Sequence, residues 1–543
     1  MDFQRLFLFL IFSFSVFLLW DGWQRTQNPV VQTIPATASV VNAPVATITI
    51  KNQGANAVAA HQKTSTGQII KVKTDRIDAE ISTIGGDLRR LEFLQQYDAK
   101  DRNKPFVLLQ EQGTQTYIAQ TGLLGPGLPA HTAVFTSQAS DYLLAEGRDT
   151  LEVRLLATEI KDAKISKVYV FHRGSYLVDV SYEIENIGSN PISPSAYFQL
   201  VRDTSTPAGG TMFVPTYTGP AIYTDQEKFQ KVDFANIEKG KIKYPKTADN
   251  GWVGMLQHYF VAAWLPKDKI QREFYTKKLD NDLYSVGMVL PVGDIAPGQT
   301  TRISVPLYAG PAQTSLDKIA PGLGLTVDYG WLTIIATPLF WVLSFLQQWV
   351  HNWGIAIILL TVLIKLAFFP LSAASYRSMA KMRVVAPKLE KIKLQYGDDK
   401  ERLHKAMMEL YKTENINPVG GCLPMLIQIP VFISLYWAIL SSVELRYAPF
   451  FGWISDLSAA DPYYILPLIM GASMVLQSKL NPTPPDPLQA KLMQIMPIVF
   501  SIVFFFFPAG LVLYSVVNNV LSIAQQWYIT RKLEGDPKGV VKA

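Results

Sequence analysis

The chain has 543 residues, of which 49% are hydrophobic and 17% charged, with a formal net charge of +6. With a mean hydropathy of +0.14, the chain is apolar for a soluble protein yet too charged for one embedded in lipid throughout, so a soluble part joined to a membrane part is expected. Residues 331–543 hold 18 Lys and Arg against 12 Asp and Glu, while 1–330 balance at 32 of each, so all the excess positive charge lies in the C-terminal part. The single cysteine, Cys422, excludes an intrachain disulfide.

In chain order, Leu6 to Trp20 is almost wholly apolar and follows Arg5. Asp21, Gly22 and Trp23 suit a membrane interface better than a cleavage site, and the A-x-A pattern at Ala36 and Ala38 lies too far downstream. Residues 1–23 are therefore expected to form an uncleaved anchor rather than a signal peptide. Residues 24–67, rich in Ala, Thr, Val, Gln and Asn without periodicity, read as a flexible tether. From 68 to 320 short runs alternate: Ile77, Ala79, Ile81; Leu151, Val153, Leu155; Val178, Val180, Tyr182, Ile184; Ile303, Val305, Leu307. Period-2 alternation puts one strand face in a core and the other in water. With turn signals at Gly85-Gly86 and Pro297-Gly298, it predicts a large antiparallel β-sandwich.

After Pro321-Gly322 six apolar segments follow, at 331–349, 353–371, 420–442, 463–478, 493–508 and 510–528. A span needs roughly 17–25 residues. The polar stretch 372–415 carries ten Lys and Arg and is expected on the cytoplasmic side, as is the tail 529–543 with Arg531, Lys532, Lys538 and Lys542. The loop 443–462, with Arg446 against Glu444, Asp456 and Asp461, belongs outside. If the anchor starts inside, the sandwich is outside, and only one crossing separates it from the basic loop. Segment 331–349 contains Pro338, Gln347, Gln348 and three tryptophans, so it is expected to lie in the outer interface. Six transmembrane helices remain, with both termini cytoplasmic.

Within 372–415, Met379, Met382, Leu389, Ile392 and Tyr396, then Leu403, Met407, Leu410 and Tyr411, recur at helical spacing. Gly397-Asp398-Asp399 supplies a stop and an N-cap, which predicts a helical hairpin with a kink at Pro387. Such a hairpin either only sets topology or docks a ribosome or targeting factor.

The six predicted spans contain no Asp or Glu and one strong base, Lys365. A charge in lipid costs about 3 kcal/mol or more, which directs it to a wet cavity or a partner. Lys365 also lies six residues before Leu371, about 9 Å by helical rise, near enough to the cytoplasmic end to snorkel out. Both readings stand on the residues alone. Thr361, Gln428, Ser515, Asn518, Asn519 and Ser522 share the cytoplasmic half by this topology, as ordinary interhelical hydrogen bonders or as the lining of one hydrophilic groove.

Four motifs carry a family resemblance: Ser378-Met379-Ala380-Lys381-Met382-Arg383 with Pro387; Asn417-Pro418-Val419-Gly420-Gly421-Cys422-Leu423-Pro424 followed by Gln428-Ile429-Pro430; Asp461-Pro462-Tyr463-Tyr464-Ile465-Leu466-Pro467; and Phe507-Pro508-Ala509-Gly510-Leu511-Val512-Leu513-Tyr514. Their order and spacing resemble those of YidC proteins, in the form with an exported domain found in Gram-negative bacteria. The resemblance implies an α-helical polytopic inner-membrane protein with a five-helix insertase core, related to the mitochondrial and chloroplast insertases, and a periplasmic sandwich. It implies an insertase rather than an enzyme. Its partners would be nascent membrane proteins, the lipid bilayer, the Sec translocon and a ribosome or targeting factor.

The client groove is then expected at Lys365, Thr361, Gln428, Tyr514, Ser515 and Asn518, and the hydrophobic slide at Ile433, Leu435, Phe500 and Phe504. Two positions depart from the family pattern: Lys365, where arginine is usual, and Ser515, where an aromatic residue is expected. No nucleotide-binding motif is present and no cofactor or metal is expected. A transporter is disfavoured by the lack of an acidic relay or inverted repeat. A carbohydrate enzyme is disfavoured by the scatter of His131, His172 and His258, read as structural.

Overall fold

The computed structural model describes residues 67–98, 101–113, 115–205, 217–397, 399–414, 423–481 and 487–534. The predicted anchor 1–23, the tether up to residue 66, residues 417–422 of the second motif and the tail beyond 534 lie outside the described residues.

The alternating runs become strands of two sheets, one ordering ten strands and the other nine. Val178, Val180 and Tyr182 stand opposite Leu307, Val305 and Ile303, and Leu151 and Val153 opposite Phe171 and Tyr169. Their side chains are buried with Ile77, Ala79 and Ile81 in one continuous core, with Leu151 partly buried against it. Pairing is antiparallel except at one edge, where Asp141–Leu143 runs parallel to Ile69–Lys73. Gly85 turns with φ +74°, and a Cβ there would lie 2.3 Å from the His131 carbonyl oxygen, so glycine is required at that turn.

One strand breaks the alternation for a visible reason. Phe260–Trp264 is buried at every position. Phe260, Ala262 and Trp264 face the sandwich core, while Val261 and Ala263 join a second cluster with Ala336, Phe340, Ala356 and Leu435 of the helical part. At this strand the outer face of the sheet is thus covered by helices instead of water.

Beyond residue 332 the described residues form eight α-helices: α1 (Thr333–Val350), α2 (Trp353–Ala367), α3 (Phe369–Tyr396), α4 (Lys400–Thr413), α5 (Leu423–Ser441), α6 (Ile465–Leu480), α7 (Pro487–Phe504) and α8 (Ala509–Glu534). The Asn352 side chain caps α2 by accepting from the Ile355 N–H at 3.0 Å, and Asp399 caps α4 by accepting from the Glu401 and Arg402 N–H groups. α3 and α4 pair through Val385, Leu389 and Tyr411, with Met382, Met407 and Leu410 packed on them. The helix runs unbroken through Pro387.

Among the described residues, α1 is the one single helix long and apolar enough to cross a bilayer by length and composition. The α2–α3 pair passes only together, with a 66° bend. The residues just before α1 meet the C-terminal end of α5, and the residue that caps α2 after it meets the loop that follows α5. Beside Asp328, whose carbonyl oxygen accepts from the Ser441 hydroxyl at 2.7 Å, a Cβ on Gly330 would touch the Trp437 ring. At the other end, Asn352 Nδ2 donates to the Phe450 carbonyl oxygen at 3.0 Å, in the loop that follows α5. Trp341, Phe345 and Trp349, spaced four apart, form an exposed aromatic face.

The sandwich docks on that same loop. Arg446 lies within 5.0–5.6 Å of the ring centres of Phe106, Tyr259, Phe260 and Tyr447. Arg102 pairs with Asp456 at 3.4 Å, and the Tyr447 hydroxyl donates to the Asp98 carbonyl oxygen. His258 Nε2 faces the Leu440 carbonyl oxygen at the end of α5, 3.4 Å away. Burial, together with nearby Arg446, pushes His258 down to about 4, and burial pushes Glu444 up to about 7.

Candidate functional site

α2 is apolar except for Thr361 and Lys365. It stops at Ala367, and Pro370 in the first turn of α3 suits a new helix start after the bend. The bend brings α3 across the end of α8: the Gln525 side chain donates to the Phe369 carbonyl oxygen, and Ala373 and Tyr376 pack on Ile529.

Lys365 is half-buried in the resulting corner. Its ammonium donates to the Ser522 hydroxyl oxygen at 2.6 Å, and that hydroxyl donates to the Asn518 carbonyl oxygen at 2.7 Å. Among the described residues no carboxylate pairs with it. Beside it a cleft of about 20 Å³ is lined by Ile364, Phe368, Leu371, Ser372, Ile427, Gln428, Val431 and Asn518. That is room for about one water, so the site has one cation, two amides and little space.

The structure therefore gathers three of the six predicted groove residues, Lys365, Gln428 and Asn518. The others sit differently. Thr361 is fully buried and donates to its own helix at Ile357, 2.7 Å away; Ser515 is buried and donates to Leu511 at 2.9 Å. Both hydroxyls are satisfied within their helices and neither lines the cleft. Tyr514 is buried with its hydroxyl toward Gln428, short of full hydrogen-bond geometry. Asn519 turns the other way, donating to Ser473 of α6 at 3.2 Å. Ser372 and Tyr376 were not singled out by the sequence: their approach depends on the bend, which no residue pattern before it announces.

The predicted slide is divided. Phe500 is exposed and Ile433 partly so, whereas Leu435 and Phe504 are buried. Leu435 packs into the inter-helix core, and Phe504 packs edge-on to Phe432 and at a tilt to Phe507, so neither presents a free apolar face. Leu426 and Ile429 are exposed two turns and one turn before Ile433 and complete the open stripe on α5. The three histidines are engaged locally: His131 with the Tyr197 hydroxyl, His172 with Asp179 and His258 with Leu440. Among the described residues no group of three or more His, Cys, Asp or Glu could hold a metal ion.

Residues 69–342 match the family model described as the YidC periplasmic domain, and residues 345–536 match that of the 60Kd inner membrane protein. The membrane protein insertase YidC of Nitrosospira multiformis is 55% identical, covering 100% of this chain and 99% of its own length. The chain belongs to the YidC family. A second YidC insertase, from Methylobacillus flagellatus, is also 55% identical over 98% of both chains. Among solved structures, an active YidC insertase crystal structure with its first transmembrane domain resolved is similar over 86% of this chain and 93% of its own, at 20% identity and a TM-score of 0.40. YidC relatives are named as insertases, which is not an enzymatic activity. Membership makes the chain an inner-membrane protein with a periplasmic β-sandwich.

Proposed function

We propose that this chain inserts membrane proteins into the bacterial inner membrane through a polar, cationic corner open toward the cytoplasm. One observation carries the reading: Lys365 has a neutral hydroxyl as its hydrogen-bond partner and no carboxylate among the described residues. A cation so placed is free to attract an acidic residue in a client's short tail, while Gln428 and Asn518 hold water or the tail's backbone. The cleft has room for about one water, so admitting a tail requires the helices around it to part. The exposed stripe of Leu426, Ile429 and Ile433 on α5, with Phe500 on α7, receives the client's apolar segment. Energy comes from burying that segment in lipid and from the membrane potential acting on the tail.

In this reading the chain crosses the membrane six times with both termini cytoplasmic. The anchor, α2, α5, α6, α7 and α8 are the spans. α1 lies flat in the outer interface with its aromatic face toward lipid, supported by the contacts of the residues that flank it with the outer end of α5 and with the loop after α5. The α3–α4 hairpin lies in the cytoplasm, where its basic surface meets a ribosome or targeting factor, and the Sec translocon is a partner for larger clients.

Insertion of a short-tailed client in cells carrying Lys365→Ala, Lys365→Arg or Lys365→Glu tests the reading. The alanine and glutamate variants should fail with acidic tails, and arginine should retain insertion. A glutamate variant as active as the parent chain would sink the attraction of charge.

A further inference from the structure

We infer that Ser522 is a positioning residue that intercepts Lys365 on its way out of the membrane and holds the ammonium at the depth of the groove. The inference rests on the groove reading above and adds a specific residue to it.

The depth can be read along the helices. α2 and α8 meet at one level where Ile357 Cδ1 lies 3.2 Å from the position of a Cβ on Gly510. From there Lys365 is eight residues along α2, about 12 Å, and Ser522 is twelve residues along α8, about 18 Å. The lysine side chain therefore leans about one helical turn toward the cytoplasmic end, the direction snorkelling would take. It stops on the Ser522 oxygen at 2.6 Å, while α8 continues a further twelve residues, about 18 Å, to Glu534.

The stop is built. Ser522 is 3% exposed, and its hydroxyl proton is committed to the Asn518 carbonyl oxygen, which leaves oxygen lone pairs for the ammonium. Tyr376, on α3 past the 66° bend, packs on Ile529, seven residues farther along α8. Without that acceptor, nothing within the described contacts of Lys365 would keep its ammonium from sliding outward to water. A single hydroxyl oxygen matches a point-like ammonium, whereas a planar guanidinium presents its donors as a fork and needs two acceptors. The serine thus suits a lysine at this position.

The test uses the full chain and two clients that differ only by Asp or Asn in the short exported tail. The reading is the ratio of their insertion yields. If the parent chain shows no preference for the Asp client, or Lys365→Ala keeps one, the groove reading itself fails, whatever Ser522 does. Given the preference, Ser522→Ala should lower the ratio by up to about fivefold, the factor of one net hydrogen bond, with the Asn client unaffected. Ser522→Thr, which restores an acceptor, should keep the ratio. Ser522→Cys, close in volume but a weaker acceptor, should lose it as alanine does, so poor accumulation of one variant does not shield the proposal. An unchanged ratio in the alanine or cysteine variant overturns it. So does an equal loss for both clients with the ratio preserved, which would make Ser522 a packing residue.

Discussion

Two lysines withdrawn from water to different degrees, one in each half of the molecule, are held in opposite ways. In the sandwich, Lys167 is fully enclosed: its ammonium donates to the Gly85 carbonyl oxygen at 2.9 Å, faces the Asp87 carboxylate at 3.5 Å and lies over the Tyr169 and Tyr182 rings. Asp87 in turn accepts from the Gln120 side chain. Burial pushes Lys167 down to about 8 against the pull of Asp87. In the helical half, Lys365 has one neutral oxygen and a cleft. A cation surrounded by fixed partners is part of a scaffold; a cation left short of partners is available for a visitor.

The largest effect should come from breaking the scaffold lysine. Lys167→Met strands the Asp87 carboxylate in the core and should cost about 3 kcal/mol or more, seen as a lowered unfolding temperature of the purified chain by tryptophan fluorescence. Lys365→Met should shift that temperature far less, by about 1 kcal/mol or under, while abolishing the preference for acidic client tails. Equal thermal losses for the two variants would erase the contrast.

A second contrast concerns pH at the seam between the halves. His258 is pushed below its unfolded value, so its contribution is present above about pH 6.5 and is lost as pH falls toward 4. Glu444 is pushed above its unfolded value, so its burial costs stability increasingly as pH rises from about 4.5 to 7. The two slopes oppose each other, and each amounts to about 2 kcal/mol after allowance for partial exposure. Stability of the seam should be nearly flat between pH 4.5 and 6.5. Glu444→Gln should leave a rise with pH and His258→Asn a fall, measured by hydrogen exchange of the strand at 260–264. Parallel profiles in both variants would show that these groups do not set the seam's pH response.

The smallest effect belongs to the basic hairpin. The exposed Lys388–Glu414 pair, 2.5 Å apart, should be worth under about 0.5 kcal/mol, so Lys388→Ala should leave thermal stability unchanged within error. A large loss would mean that the hairpin is tied together by charge instead of by Leu389 and Tyr411.

The sequence by itself determined the division of the chain, the sandwich and the chemistry to look for. Period-2 alternation at 178–184 and 303–307 specifies a buried face and a register, because each step of the chain flips the side chain. Lys365 stood out because a charge in an apolar run is costly wherever it lies. The four motifs carried the family, and the comparisons agree. Tertiary structure decided what faces what. Helical periodicity can say that Leu435 and Phe504 are apolar, but core and lipid reward the same side chains, so only packing shows that both are buried while Leu426 and Ile429 are open. Thr361 and Ser515 read as groove hydroxyls, yet each bonds within its own helix, an option open to Ser and Thr at any such position. The contacts of Lys365 with Ser522 and of Gln525 with Phe369 join residues more than 140 positions apart. No local pattern encodes that meeting; it exists because α2, α3 and α8 pack against one another.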